Sequence, residues 1–366
     1  MGSAVYYIPQ DGGHAGMAEK LRSFLADLDL PWVKSNSKIG VKVHWGEPGN
    51  ITFLPSDYAK ATVSTLIEKG ATPFLFDTTT LYHGDRRDPV DNLWTAHRHG
   101  FGYNETGAPV LVGDGISGKD IVELPVPGNP TNQKSVKVAS LVNYVDGIVT
   151  VSHFKGHMAS GFGGAIKNIA MGMASRATKQ VMHAEVIPEL KQAKCTGCGV
   201  CVRICPENAI AMFDEYPKVD RNKCVGCAEC IAMCPEGAYR ILWSTTPEKF
   251  LEKMVETATA VCDRLSGRML HIEILANITP ECDCMSRPME PLTSDLGILV
   301  SADPVAIDAA SCDIFNGAEP LENTQIRKNR GDYILQLFPS IPYRYQFEYA
   351  GSLGASSGEY ELIVVK

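Results

Sequence analysis

Two cysteine runs constrain this chain more than any other feature. Cys195, Cys198, Cys201 and Cys205 precede Pro206, and Cys224, Cys227, Cys230 and Cys234 precede Pro235, so both runs read Cys-x2-Cys-x2-Cys-x3-Cys-Pro. A 4Fe-4S cluster needs four thiolates at the corners of a cube. Three closely spaced cysteines can wrap three corners, and the fourth comes from elsewhere in the chain. A structural zinc site is served by two separated Cys-x2-4-Cys pairs and would leave a third and fourth cysteine in each run without use. The spacing therefore predicts two 4Fe-4S clusters, with all eight of these cysteines as ligands.

At 366 residues the chain has room for two domains, or for one large domain carrying an insert. A content of 45% hydrophobic and 21% charged residues places it among ordinary globular proteins. No apolar run approaches the roughly 20 residues that a spanning helix needs. The opening MGSAVYYIPQ lacks the charged-then-apolar pattern of an export signal. Twelve cysteines, at least eight of them ligands, suit a reducing cytoplasm. A formal charge of -8 without a basic block argues against a nucleic-acid or membrane surface. The expected partner is a small-molecule substrate or a redox partner protein.

On the amino-terminal side of the cysteines, KIGVKVH (residues 38–44) alternates as a strand and ends in the loop WGEPGN. Pro55 opens a helix with Ala59, Val63, Leu66 and Ile67 at helical spacing and Gly70 as its stop. The buried strand PFLFD (73–77) follows, and strand, helix, strand in this order predicts a parallel βαβ unit. In such sheets ligands bind beyond the carboxyl ends of strands, here WGEPGN and the unusually polar stretch at residues 77–88. A helix near 90–99 and strands at APVLVG and DGIVTVSHF continue the alternation. The last leads into HFKGHMASGFGGAIKNIAMG (153–172), which sets His153, Lys155, His157 and Lys167 around a glycine-rich turn that starts a helix at Gly164 or Ala165. Backbone amides at such a turn can hold an anion, and Lys167 adds a positive charge.

Beyond the cysteine runs, residues 247–267 form an amphipathic helix, followed by the strand HIEILAN. Cys282 and Cys284, separated by one residue, could hold a metal, close a redox pair or pack as reduced thiols. GILVSADPVAIDAASCDIF reads as a strand, a cap at Ser301 or Asp303, Pro304 in the first turn and a buried helix on which Asp308 and Cys312 share a face. The tail ends in the strand-like ELIVVK.

The cysteine stretch resembles the bacterial two-cluster ferredoxins, in which the fourth cysteine of each run crosses to the other cluster. That resemblance groups Cys195, Cys198, Cys201 and Cys234 on one cluster and Cys224, Cys227, Cys230 and Cys205 on the other. The flanks resemble domain of unknown function family 362, through KVHWGE (42–47), FDTTTLYHG (76–84), residues 153–172, NITPECDC (277–284) and SADPVAIDAA (301–310). In that family a ferredoxin segment often accompanies the domain, without a settled activity. HMASGFGGAIKNIAMG also looks like the His, Gly-Gly, Lys and Gly motif of the nickel-pincer lactate racemases. Carried over by motif, Lys167 would anchor a cofactor in the turn at Gly163 and Gly164, His183 would ligate nickel, and His157 and His83 would be the acid and base. The proline-rich loop of the racemases is WGEPGN here, and they have no ferredoxin insert.

The expected architecture is an α/β host with a mostly parallel sheet flanked by helices (1–187 and 244–366), plus an inserted α+β two-cluster ferredoxin domain (188–243). The expected function is an iron-sulfur oxidoreductase that relays electrons through two 4Fe-4S clusters to a substrate, or to a further cofactor at Lys167 and His183. His83, His157 and Lys167 are its candidate catalytic residues. A racemase-like enzyme and a non-enzymatic electron-transfer module are the alternatives. No Gly-x-Gly-x-x-Gly follows a strand, which argues against a dinucleotide fold.

Overall fold

Apolar side chains at strand periodicity on both faces require a sheet covered on both sides, and that is what forms. The computed structural model describes residues 2–82, 84–183, 189–205, 207–224, 228–240 and 245–365. Among these, eight strands make one sheet: β1 (Ser3–Pro9), β2 (Lys38–Val43), β3 (Thr72–Asp77), β4 (Val110–Val112), β5 (Gly147–His153), β6 (Met269–Leu275), β7 (Gly297–Ser301) and β8 (Tyr360–Val364). Their order is β8-β1-β7-β6-β5-β2-β3-β4. Pairing is parallel except where β7 runs antiparallel to both β1 and β6. The host is thus α/β with a mostly parallel sheet.

One face is covered by α1 (His14–Asp27) and α2 (Ser56–Glu68), whose Met17, Leu21, Tyr58 and Val63 pack on Val41, Val43, Val149 and Val151. The other is covered by α4 (Ala165–Met173), α6 (Pro247–Leu265) and α7 (Pro304–Gly317), which pack on Phe76, Ile148 and Leu299; α3 (Pro89–Arg98) precedes β4. Each fully buried valine, leucine or isoleucine contributes about 1.5–3 kcal/mol relative to exposure, so every β5 residue being buried makes that strand a main source of stability. The caps follow the sequence. Asp303 accepts from the Val305 and Ala306 amides ahead of Pro304, and Gly70 ends the α2 turn at φ 87°. No helix among the described residues is long and apolar enough to cross a membrane.

The cysteine-rich stretch leaves the host after α5 (Arg176–His183) and returns before α6. It holds the hairpin Ile210–Phe213 with Tyr216–Val219, the ladder Glu189–Leu190 with Tyr239–Arg240, and short helices at Val200–Ile204 and Glu229–Ala232. The two runs are alike in backbone as well as spacing: Gly199 (φ 68°) and Ala228 (φ 61°) stand at equivalent left-handed positions before the short helices. An alanine held there costs roughly 1–2 kcal/mol, so the turn is imposed by its surroundings.

Candidate functional site

The chain steps outward from β2 to β3 to β4 and then returns to place β5 on the other side of β2. This reversal opens a crevice at the carboxyl ends of β2 and β5, where open α/β sheets bind ligands. A cavity of about 640 Å³ occupies it, lined among others by Lys42, His44, Asp77, Arg86, Lys155, His157, Lys167, Lys179, His183, Cys282 and Cys284.

Lys42 alternates with Ile39, Val41 and Val43, so it faces away from α1 and α2 and is fully buried. Its Nζ meets Asp77 Oδ1 at 2.9 Å and Asn168 Oδ1 at 2.8 Å. Gly172 on α4 makes room for it, since a Cβ there would lie 2.2 Å from Lys42 Cε. Arg86 spans Asp77 (2.8 Å) and Glu47 (2.9 Å), while Tyr82 donates to Glu47 at 2.9 Å. The polar stretch after β3 is therefore a buried ion network that shapes the cavity wall.

A second network closes the opposite wall. Asp283 accepts from His153 Nδ1 at 2.8 Å and Lys155 Nζ at 2.7 Å, and the other ring nitrogen of His153 meets the Ala276 carbonyl at 2.7 Å. Against burial, which alone would raise it, His153 and Lys155 hold the Asp283 carboxyl below the usual carboxylate range. His153 is thus a structural member of the wall. Next to Asp283, Cys282 is buried, and Lys167 Nζ lies 3.7 Å from its Sγ. The Cys284 thiol, donating to it, and the Lys167 and Lys155 ammonium groups hold the Cys282 thiol well below the ordinary thiol range despite burial. The same hydrogen bond, with burial, pushes the Cys284 thiol up.

His157, Lys167, His183, Gly163 and Gly164 all line the cavity, as the sequence pattern requires of one site. His83 lies outside the described residues. The Nδ1 of His157 accepts from the Ala159 and Ser160 amides at 3.2 Å, which places the ring hydrogen on Nε2. Burial, reinforced by Lys167, holds this imidazole well below its ordinary range, so it is a neutral N–H donor. His183 packs against Phe250, the rings tilted by 30° with centroids 5.0 Å apart, and is lowered by burial to about 3. Burial likewise lowers Lys179 to about 8; its ammonium rests on Thr78 Oγ1 and the Thr79 carbonyl.

The expectation that the glycine-rich turn offers its amides to an outside anion is corrected. The Ala165 and Ile166 amides are taken by Asp308 of α7, at 2.6 and 3.1 Å, so the α4 amino terminus already holds a carboxylate. Gly164 is required because a Cβ would fall 2.5 Å from both Asp308 Oδ1 and Glu273 Oε1. Burial raises Asp308 to about 7, and burial together with the neighbouring Asp308 charge raises Glu273 well above its ordinary value. A carboxyl whose folded value is raised contributes stability that is lost as pH rises through that value. Thermal stability should therefore fall between about pH 4 and 7, and Glu273→Gln, which keeps the contact with Ser311, should flatten that fall. Unfolding midpoints across this range would check it, and an unchanged slope would dismiss the pair as its source.

In the cysteine-rich stretch, a small cavity is lined by Cys195, Cys198, Cys201 and Cys234, three cysteines of the first run and the fourth of the second. The Ala209 and Ala238 amides donate to the sulfurs of Cys205 and Cys234, both at 3.2 Å. Cys230 is buried in the same apolar cluster, Cys224 is half-buried and Cys227 lies outside the described residues. Among the described residues no three His, Cys, Asp or Glu side chains already cage a single metal ion. Thiolate is the ligand type of a 4Fe-4S cluster, so the donor set of the four-cysteine cavity has the chemistry such a cluster takes.

Residues 39–313 match the family described as Domain of unknown function (DUF362). The chain belongs to this family. None of the curated proteins matches the sequence. Among solved structures, a structural-genomics crystal structure of a protein from Thermotoga maritima is similar at 12% identity and a TM-score of 0.43, covering 73% of this chain and 52% of that one. The lactate racemase apoprotein from Thermoanaerobacterium thermosaccharolyticum is similar at 9% identity and a TM-score of 0.43, covering 86% and 57%. The chain spans little more than half the length of either structure.

In this DUF362 member, Lys42, His44, Arg86 and Lys179 are site residues that sequence reasoning missed. Lys42 did carry a signal, a charged residue on the inward face of a strand otherwise apolar. Lys179 had none, because its neighbours in the cavity lie about a hundred residues away. Cys312 is buried in α7, outside the cavity lining that holds Cys282 and Cys284.

Proposed function

We propose that this protein is an iron-sulfur oxidoreductase in which two 4Fe-4S clusters pass electrons, with Cys227 completing the second set, to an anionic small molecule in the host cavity. The observation that carries this reading is Leu81, which lines the cavity and also packs in the apolar cluster of Cys201, Cys230 and Cys234. The bridge is reinforced at Arg87, which donates to the Cys234 carbonyl at 3.1 Å. The clusters would supply one-electron transfer at potentials set by their surroundings. The chain's own residues bind and protonate. Lys167 faces the cavity with the Cys282 thiol as its neighbour, and the His157 Nε2–H is a donor for an anionic group. This arrangement fits a cytoplasmic enzyme served by a redox partner protein.

A full metal analysis of protein purified without oxygen tests it. About eight irons with matching sulfide per chain are expected, and iron near zero after reconstitution would end the reading. Lys167 also favours a second reading, a racemase- or epimerase-like enzyme with a nickel-pincer type cofactor anchored on its amine, because its partner in the cavity is a thiol. About one nickel per chain and a mass adduct lost in Lys167→Ala would move the assignment there.

A further inference from the structure

The mechanism above leaves one reactive group in the cavity without a task, the thiol pair of Cys282 and Cys284. We propose that Cys282 and Cys284 are a redox-active pair that reduces the disulfide bond of an anionic small molecule bound in the host cavity. The inference names a substrate class for the site proposed above, and it rests on that reading only for the supply of electrons that restore the pair.

Four observations place the pair at this work. Both residues line the 640 Å³ cavity, within reach of a ligand bound there. Lys167 Nζ stands 3.7 Å from Cys282 Sγ, and the Cys284 amide approaches the same sulfur at 3.5 Å, so negative charge on it is stabilised from two sides. Cys284 is the neighbouring second thiol that such chemistry needs, separated from Cys282 by the single residue Asp283. The loop is fixed by Asp283 between them, anchored to His153 and Lys155.

The chemistry balances without a further oxidant. The Cys282 sulfur attacks one sulfur of the bound disulfide, forming a mixed disulfide and expelling one thiolate, which takes a proton. The Cys284 sulfur then loses its proton and attacks Cys282, closing the internal disulfide and expelling the second thiolate. One substrate disulfide becomes two thiols, and two protein thiols become one disulfide. Two electrons and two protons restore the pair, one electron at a time from the clusters. The Lys167 ammonium, whose neighbour across the cavity is the Cys282 thiol, specifies an anionic substrate.

The test is a single turnover of anaerobic holoprotein, reduced with a phosphine and desalted, against the dianionic 2,2′-dithiodiacetate and the neutral bis(2-hydroxyethyl) disulfide. Peptide mass mapping should find the 282–284 peptide two hydrogens lighter, with two thiols released per disulfide consumed. In Cys284→Ser the mixed disulfide should persist on Cys282, and Cys282→Ser should carry none on Cys284. The dianionic probe should react about tenfold faster than the neutral one, with the preference reduced in Lys167→Met. A wild-type peptide unchanged in mass while other cysteines react, or an adduct on Cys284 first, overturns the proposal. That wild-type measurement does not depend on either variant folding. Iron content, measured on the same sample, separates a failure of the cluster reading from a failure of this one.

Discussion

Replacing Asp283 by Asn lowers the stability of the host domain by about 3–5 kcal/mol, the cost of leaving the buried Lys155 ammonium without its counter-charge. Asp283 is fully buried, and its Oδ2 meets both His153 and Lys155, themselves buried at the carboxyl end of β5. An amide of the same shape keeps the packing but not the charge, so the loss is electrostatic. Urea unfolding followed by tryptophan fluorescence, to which the buried Trp45 contributes, would measure it at neutral pH. A second substitution, Lys155→Met, should recover part of the loss, since removing both charges costs less than removing one. Asp283 has a depressed folded value, so its stabilisation is present above the unfolded carboxyl value of about 3.9 and fades as pH falls below it. Wild type and variant should therefore converge only in strong acid. A difference under about 1 kcal/mol at neutral pH would mean that Lys155 loses its proton when unpaired.

The second large effect concerns the cysteines. If Cys234 belongs with Cys195, Cys198 and Cys201, as their common cavity indicates, then replacing both Cys198 and Cys234 by Ala removes one cluster and leaves about four irons per chain. Replacing Cys198 and Cys205 instead strikes one ligand from each cluster and should leave iron near zero. Were each run to bind its own cluster, the two results would exchange. Because Cys234 also shares an apolar cluster with Leu81 of the cavity wall, the first double variant should in addition slow electron delivery to the cavity.

Much of the host was legible from periodicity. The strand at PFLFD, the helix after Pro55, the helix starting at Ala165 and the Asp303 cap lie where local spacing put them. The grouping of His157 and Lys167 around Gly163 and Gly164 was legible too, because these four lie within eleven residues of one strand-to-helix turn, whereas His183, at the end of α5, was pointed to only by the family resemblance. The anion role of that turn was not. Asp308 reads as a buried helical residue, and nothing local says that its carboxylate reaches across to cap α4.

The sequence by itself determined the alternation of strands and helices, the cysteine pattern and the family resemblance, because these depend on neighbours within a few residues. Only the tertiary structure decided that the Cys282–Asp283–Cys284 loop faces Lys167, that Lys42 and Arg86 share Asp77, and that Leu81 joins the cavity to the cysteine-rich stretch. Charges and thiols far apart in the chain gain their meaning from the partner that the sheet order brings within a few ångströms. In a buried site the nearest opposite charge, more than residue type, sets what a side chain can do.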